Sequence, residues 1–324
     1  MNTDFLFIKV AVFPGVLFVL FGCLYLMYFE RKTIARIHGR IGPQYVGYGG
    51  LLQTIADLMK LMFKEWIFPK TAKKAALFLT PIALFLLAFL PLSVVPWGEN
   101  WYVADFSVTL IFAFVVIAAI PFLSLLLGWS SGSKYSLIGG YRAASQQIVF
   151  EVPLFLSALT PAILANSLSL MDITKNQKIW FLVLNPIAAF VFFVSMLAMM
   201  ERQPFDIPEA ESELVFGWKT ELSGIFFGWS IFAGYTIMIG GSALFVVLFM
   251  GGFNGPGNNL GVLWFMLKLA LIWLILFAMR AVLPRYRMDQ ILRMSWRLMI
   301  PLSLVSIGLS IGLLFAFPNF FRGV

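Results

Sequence analysis

Apolar runs long enough to cross a bilayer recur along this chain, separated by short polar segments. A hydrocarbon core about 30 Å thick takes roughly 20 residues of helix per crossing. The pattern predicts eight such helices, at about 5–29, 76–97, 105–127, 147–170, 179–200, 225–250, 260–283 and 298–318. A spanning barrel is excluded, because its strands alternate with period two instead of running apolar throughout. The first run has no basic flank ahead of it and is too long for the core of a signal peptide, so it reads as a retained helix. One segment has a different rhythm. From Leu51 to Glu65, the residues Gln53, Asp57, Lys60 and Lys64 recur at steps of four, three and four, which lines them along one face of a helix. That segment is too polar to span and is expected to lie along the interface, as an anchor or as the guard of an entrance from the lipid.

Composition agrees with lipid as the main solvent. The chain is 61% hydrophobic and 12% charged, where a soluble domain carries roughly 25% charged residues. The expected fold is an all-α integral membrane protein of about eight transmembrane helices, one polytopic domain over 1–324, with a cytoplasmic-side amphipathic helix. The alternating segments 30–75, 128–146, 201–224 and 280–297 hold 18 of the 23 lysines and arginines, and the opposite face has only Lys175, Lys178 and Arg322. The positive-inside rule makes those four segments cytoplasmic and both termini external, in a multi-pass protein of an inner or plasma membrane. The net charge of +8 is accounted for by this topology and by anionic lipid, and nucleic acid is not an expected partner.

Acidic residues share the bias although topology does not require it, since 11 of 15 lie on the same side. Function is sought there. The single cysteine, Cys23, falls inside the first run and cannot by itself hold an iron–sulfur cluster or a thiolate metal site. The single histidine, His38, reads as a solvated loop residue. Neither a phosphate-binding glycine loop, a metal-spaced cluster nor a Ser-His-Asp pattern occurs. Gly139-Gly140 and Gly251-Gly252 read as loop glycines, the latter opening an external loop that ends at Gly261.

The first basic-side block runs from Glu30-Arg31-Lys32 through Arg36, Arg40 and Gly42-Pro43 into the amphipathic segment. The second runs from Gly128 through Lys134, Arg142 and Gln146-Gln147 to Glu151, a carboxylate at membrane depth that is expected to face a partner or water. The third, from Glu201 to Glu221, packs six carboxylates into 21 residues, answered only by Arg202 and Lys219. Asp206 and Glu209 have the spacing of a helix-capping box, and Pro208 suits a first turn. A helix starting there would put Glu209 and Glu213 on one face, where two carboxylates repel until one takes a proton. The fourth block carries Arg280, Arg285, Arg287, Arg293 and Arg297, either as a lipid anchor or as counter-charges to the third.

These blocks together resemble a known family. Glu30-Arg31-Lys32 with Arg40-Ile41-Gly42-Pro43, Gln53 with Asp57 and Lys60, Ser133-Lys134-Tyr135 to Glu151, Arg202-Gln203-Pro204-Phe205-Asp206 to Glu213-Leu214-Val215, and Pro284-Arg285 with Asp289-Gln290 are similar to the H subunit of bacterial complex I, the counterpart of mitochondrial subunit 1. The likeness spans nearly the whole chain in the same order. It implies a membrane subunit that carries no cofactor of its own and forms part of a proton-translocating oxidoreductase. Quinone would be the substrate, and iron–sulfur clusters would sit on soluble quinone-site subunits. The other partners would be small and antiporter-like membrane subunits. By matching position, Arg31, Arg40, Asp57 and Phe205 would form the quinone chamber. Glu151, Asp206, Glu209, Glu211, Glu213 and Glu221 would form the proton path, with Glu30, Lys134, Arg202, Arg280, Arg285 and Arg287 as supporting charges.

Three positions depart from the family pattern. Glu201 stands two positions from the usual glutamate, about 200° around a helix. Phe150 replaces a tyrosine before Glu151, and Gly234 stands where mitochondrial relatives have a glutamate before Tyr-Thr. Two other readings are open from sequence. One is the membrane subunit of a ferredoxin-linked hydrogenase, and the other is a stand-alone ion-coupled transporter. The latter predicts charges in mid-helix and broken spans.

Overall fold

The computed structural model describes residues 9–208, 211–256 and 260–317, with the side chains of Glu211 and Ser212 also outside the description. Among the described residues the regular structure is helical, and seven helices are long and apolar enough to cross a membrane. The first span covers Lys9–Ile37, and its regular part, Val16–Ile37, is called α1. The interfacial segment forms α2, Gln53–Phe63, within the predicted 51–65. Next come α3, Lys74–Ser93, and the pair α4, Thr109–Ala118, and α5, Ile120–Ser130. These two form one span that bends at Ala119, where Pro121 has no N–H to give to the carbonyl four residues back.

The next helix, α6, runs over 32 residues from Lys134 to Ala165, not from 147. Its first turns are polar and glycine-rich, a composition that in sequence alone points to a loop. One face of them, with Ser136, Gly139, Gly140, Ala143 and Ala144, is buried against protein, and these small residues are what lets the chains approach. A Cβ at Gly139 would lie 2.6 Å from the Trp218 nitrogen, and one at Gly128 2.6 Å from the Ser136 oxygen. Gly139 and Gly140 are therefore contact glycines of a helix. Gly251 and Gly252 do sit in a loop, at φ 69° and 46°. Two prolines inside α6 free carbonyls that other groups satisfy. Thr160 Oγ1 donates to the Ser157 oxygen at 2.7 Å, in place of the missing N–H of Pro161. Ser295 Oγ donates to the Val149 oxygen at 2.9 Å, in place of Pro153. In lipid such carbonyls must find a protein donor.

Short helices α7, Leu170–Lys175, and α8, Phe181–Leu184, lead into α9, Pro186–Met199. The predicted span 179–200 is thus divided at Asn185. Asn185 Oδ1 accepts from the Ala188 N–H at 3.1 Å, and its Nδ2 donates to the Ser306 carbonyl and Ser310 Oγ. The 14 residues of α9 rise about 21 Å, and with α8 ahead of them they supply the eighth apolar crossing. The short α10, Glu211–Leu214, precedes α11, Ile225–Phe249, which is the most enclosed span, 78% buried over its apolar window. It packs on α3, α1, α2 and α12, Gly261–Val282. The last crossing joins α13, Met288–Met294, through a π-helical turn at Ser295–Met299 to α14, Ile300–Ala316. Only 22% of that span is buried, and Leu298, Leu304, Val305 and Leu309 lie exposed on it.

Candidate functional site: a charged chamber at the basic face

Where α9 ends, its last carbonyls lack helical partners, and the paired glutamines of α6 supply them. Gln146 Nε2 donates at 2.8 Å to both Ala198 and Phe205 oxygens. Gln147 Nε2 donates to Glu201 Oε1 at 3.0 Å and to the Met199 oxygen at 3.4 Å. Trp218 Nε1 donates to the other Glu201 oxygen at 3.2 Å. Glu201 is therefore not on the helix whose phase its sequence position suggests. It follows the helix end at φ 51°, in a turn that holds its carboxylate on the wall of a cavity.

That cavity, of about 210 Å³, is also lined by Arg31, Arg202, Asp206, Tyr235 and Arg280. Several of its charges are paired. Glu30, only 2% exposed, receives Arg202 Nη1 at 3.2 Å, Arg280 Nη1 and the Tyr235 hydroxyl at 2.6 Å. The Arg202 guanidinium also lies 4.6 Å from the centre of the Tyr235 ring. A carboxylate this buried holds its charge only when hydrogen bonds fill it, and two cations with one phenol do so here. Arg285 Nη2 donates to Asp206 Oδ2 at 3.1 Å, and the Tyr286 N–H to the Pro204 oxygen at 3.2 Å. The fourth block thus counters the third through Arg285, and the first through Arg280.

Two further cavities share walls with this chamber. One, of about 460 Å³, lies beside α2 and is lined by Arg31, Asp57, Lys60, Leu61, Phe227 and Ile231. The other, of about 570 Å³, is lined by Glu30, Arg31, His38, Arg40, Gln203 and Arg280. Arg31 borders all three. It donates to Asp57 Oδ2 at 2.5 Å, and Gln53 Nε2 donates to Asp57 Oδ1 at 2.9 Å. Partial burial pushes the Asp57 carboxyl upward. The hydrogen bonds from Arg31 and Gln53, with the charges of Arg31 and Lys60, outweigh it and hold the group below its ordinary value. An apolar pocket lined by Met196, Met199 and Met200 continues from the chamber between the helices.

Of the residues selected from sequence, Arg31, Arg40, Asp57, Asp206, Glu30, Arg202 and Arg280 come together around these cavities. Phe205 does not line them. It is 2% exposed and packs between Phe150 and Tyr286, with ring centres 5.5 Å and 5.9 Å away. Glu213 pairs with Arg142 at 2.6 Å near the surface. Glu151 is half-buried on α6, one turn beyond Gln147, and neither it nor Glu221 borders the chamber. Lys134 begins α6 as an exposed residue, and Arg287 caps α13 through its N–H to Gln290 Oε1 at 3.1 Å. Glu209 and the side chain of Glu211 lie outside the described residues, so the shared face of Glu209 and Glu213 does too. The described helix starts at Glu211, and the Asp206 carboxylate engages Arg285. His38 is exposed, its Nε2 3.2 Å from the Ala281 oxygen. Sequence reasoning leaves out Glu201, Gln147, Trp218 and Tyr235. Glu201 and Tyr235 have a signal in the family departures, and Gln146-Gln147 as an amide pair beside apolar residues; Trp218 has none.

The fold and site define a polytopic helical membrane protein with a charged chamber next to a cavity that borders an amphipathic helix. The family described as NADH dehydrogenase matches residues 9–311. The chain is 40% identical over 313 residues to the H subunit of the NADH-quinone oxidoreductase of Geobacillus thermodenitrificans, covering 93% of this chain and 94% of that protein. It is 39% identical over 315 residues to the corresponding protein of Bacillus mycoides, with 94% and 93% covered. The chain belongs to the NADH dehydrogenase family, as a membrane subunit of that class of oxidoreductase.

Proposed function

We propose that this chain, acting as one polytopic unit, forms the membrane wall of a quinone chamber and the start of a proton path in an NADH–quinone oxidoreductase assembly. The observation that carries the reading is Arg31, which stands where three cavities meet and is clasped by Asp57 on the interfacial helix. A quinone is amphipathic, and its tail stays in lipid, so its entrance must open at bilayer depth beside a polar chamber. The cavity between α2 and α11 has that character. As the ring is reduced its oxygens gain negative charge, and fixed guanidinium groups stabilise charge there without having to reorganise. Electrons come from an iron–sulfur cluster on a soluble partner protein. The new charge shifts the balance of the Glu30, Arg202 and Arg280 cluster and of Glu201. Proton uptake then passes through Asp206, Glu151 and the acidic segment 209–221 toward small and antiporter-like membrane subunits. The names of the relatives favour quinone over a hydrogenase partner. The same names, matched over nearly the whole chain, also disfavour a stand-alone transporter.

In the purified complex reconstituted into vesicles, Glu151→Gln and Glu213→Gln should assemble but lower both quinone turnover and proton translocation. Wild-type coupled turnover in both assembled variants would overturn the proton path. Sidedness is tested in a Cys23→Ser background. Tyr45 is 99% exposed, and Tyr45→Cys should react with an impermeant thiol reagent from the cytoplasm. Asn100→Cys should react from outside.

A further inference from the structure

Gly234 lies on α11 in the wall of the central cavity, one residue before Tyr235. A Cβ built there meets no atom within 4 Å. Elsewhere on the same helix a glycine is closely surrounded, since a Cβ at Gly241 would come within 2.5 Å of Met200 Cε and 3.0 Å of Met196 Cγ. Gly234 has no such neighbour, and its backbone is not in the left-handed region that favours glycine. Inside a helix glycine is less favourable than alanine by about 1 kcal/mol. Neither packing nor conformation calls for glycine here, so what the residue contributes is open space. The neighbouring wall cannot swing in to fill it, because Tyr235 is held to Glu30 and Arg202 stacks on its ring.

We propose that Gly234 determines headgroup specificity in the chamber, its missing side chain leaving a niche for the larger ring systems among quinones. The proposal rests on the quinone-chamber reading above. A methyl group at 234 shortens the niche while leaving every existing contact in place, and alanine is the better helix former. The substitution therefore removes room without removing an interaction.

The test uses the whole purified complex and two quinones with the same isoprenoid tail, a two-ring naphthoquinone and a one-ring benzoquinone. The readout is the ratio of their kcat/KM values within one preparation, which cancels differences in assembly. Gly234→Ala should lower the naphthoquinone-to-benzoquinone ratio on the order of 10-fold, the discrimination that one methylene exerts in a tight pocket. Gly234→Val should lower it further. If the valine variant does not assemble, the alanine variant decides. A ratio unchanged from wild type in the assembled variants overturns the niche but leaves the chamber reading standing. A wild-type complex that reduces neither quinone overturns the chamber reading, and the niche with it.

Discussion

Two buried charges at opposite ends of α11 differ in what encloses them, and the difference separates a structural ion from the working one we propose. Beyond its C-terminal end, the Lys268 ammonium is 7% exposed and donates to the carbonyls of Met250, Gly252 and Asn254 at 2.7, 2.8 and 2.7 Å. An ammonium has three N–H donors, so its capacity is filled, and its charge opposes the negative end of the helix dipole. None of the described cavities has Lys268 in its wall. At the other end Glu30 is buried more deeply, yet it borders a cavity of about 570 Å³, and its partners Arg202, Arg280 and Tyr235 border the central chamber. Lys268 closes a loop onto a helix end. Glu30 holds two cations beside an open cavity, adjoining the chamber we propose a substrate enters.

The comparison is broken most directly at Glu30. Glu30→Gln keeps the volume and some hydrogen bonding but leaves two guanidinium groups without their counter-ion. Displaced cations misplace whatever they bind, and misplacement of about 1 Å can cost on the order of 10²-fold. Quinone turnover in the assembled complex should fall by about that factor. Full turnover in an assembled Glu30→Gln complex would put Glu30 in the same class as Lys268.

Lys268→Met is the counterpart, with the opposite split. Three carbonyls lose their donor, and a buried acceptor without one costs about 1–3 kcal/mol. The complex should lose thermal stability, while the KM for quinone in what remains assembled stays at the wild-type value. A raised KM would mean that the two ends of α11 are coupled and that the contrast between them is wrong.

How these two residues look in the sequence explains what is legible there. Apolar runs report lipid contact and burial together, so the spans are readable wherever the helix meets lipid. They fail at 134–146, where α6 is polar and packs one face of small residues on protein, and at Asn185, where one amide divides a span. Arg31 and Asp57 are legible because their spacing and family motif coincide, one near the end of α1 and one on the polar face of α2. Glu30 stands out from sequence only as a supporting charge, since no pattern along the chain brings residues 30, 202, 235 and 280 together. Helical phase misplaces Glu201, because the helix ends before it. Lys268 sits alone in an apolar run, and nothing local marks the carbonyls that enclose it.

The smallest expected effect concerns Asp57, which lies between the two classes, part-exposed beside the cavity along α2 and hydrogen-bonded to Arg31. Against the upward push of burial, Arg31, Gln53 and Lys60 hold its folded carboxyl below the ordinary value. A group depressed in this way keeps its charge, and the clasp on Arg31, at every pH above the ordinary carboxylate range. The clasp is lost only as pH falls through the lower folded value. The KM for quinone in the wild-type complex should therefore stay flat from neutral pH down through the ordinary carboxylate range, with no inflection from this group. Asp57→Asn removes the charge, so Arg31 loses its ionic partner at all pH values. Its KM should be raised a few-fold, on the order of the 1 kcal/mol expected of an exposed pair, and should not vary further as acid is added. An inflection in the wild-type KM within the ordinary carboxylate range that disappears in Asp57→Asn would show that the clasp opens during turnover, and Asp57 would then belong with Glu30 among the working charges.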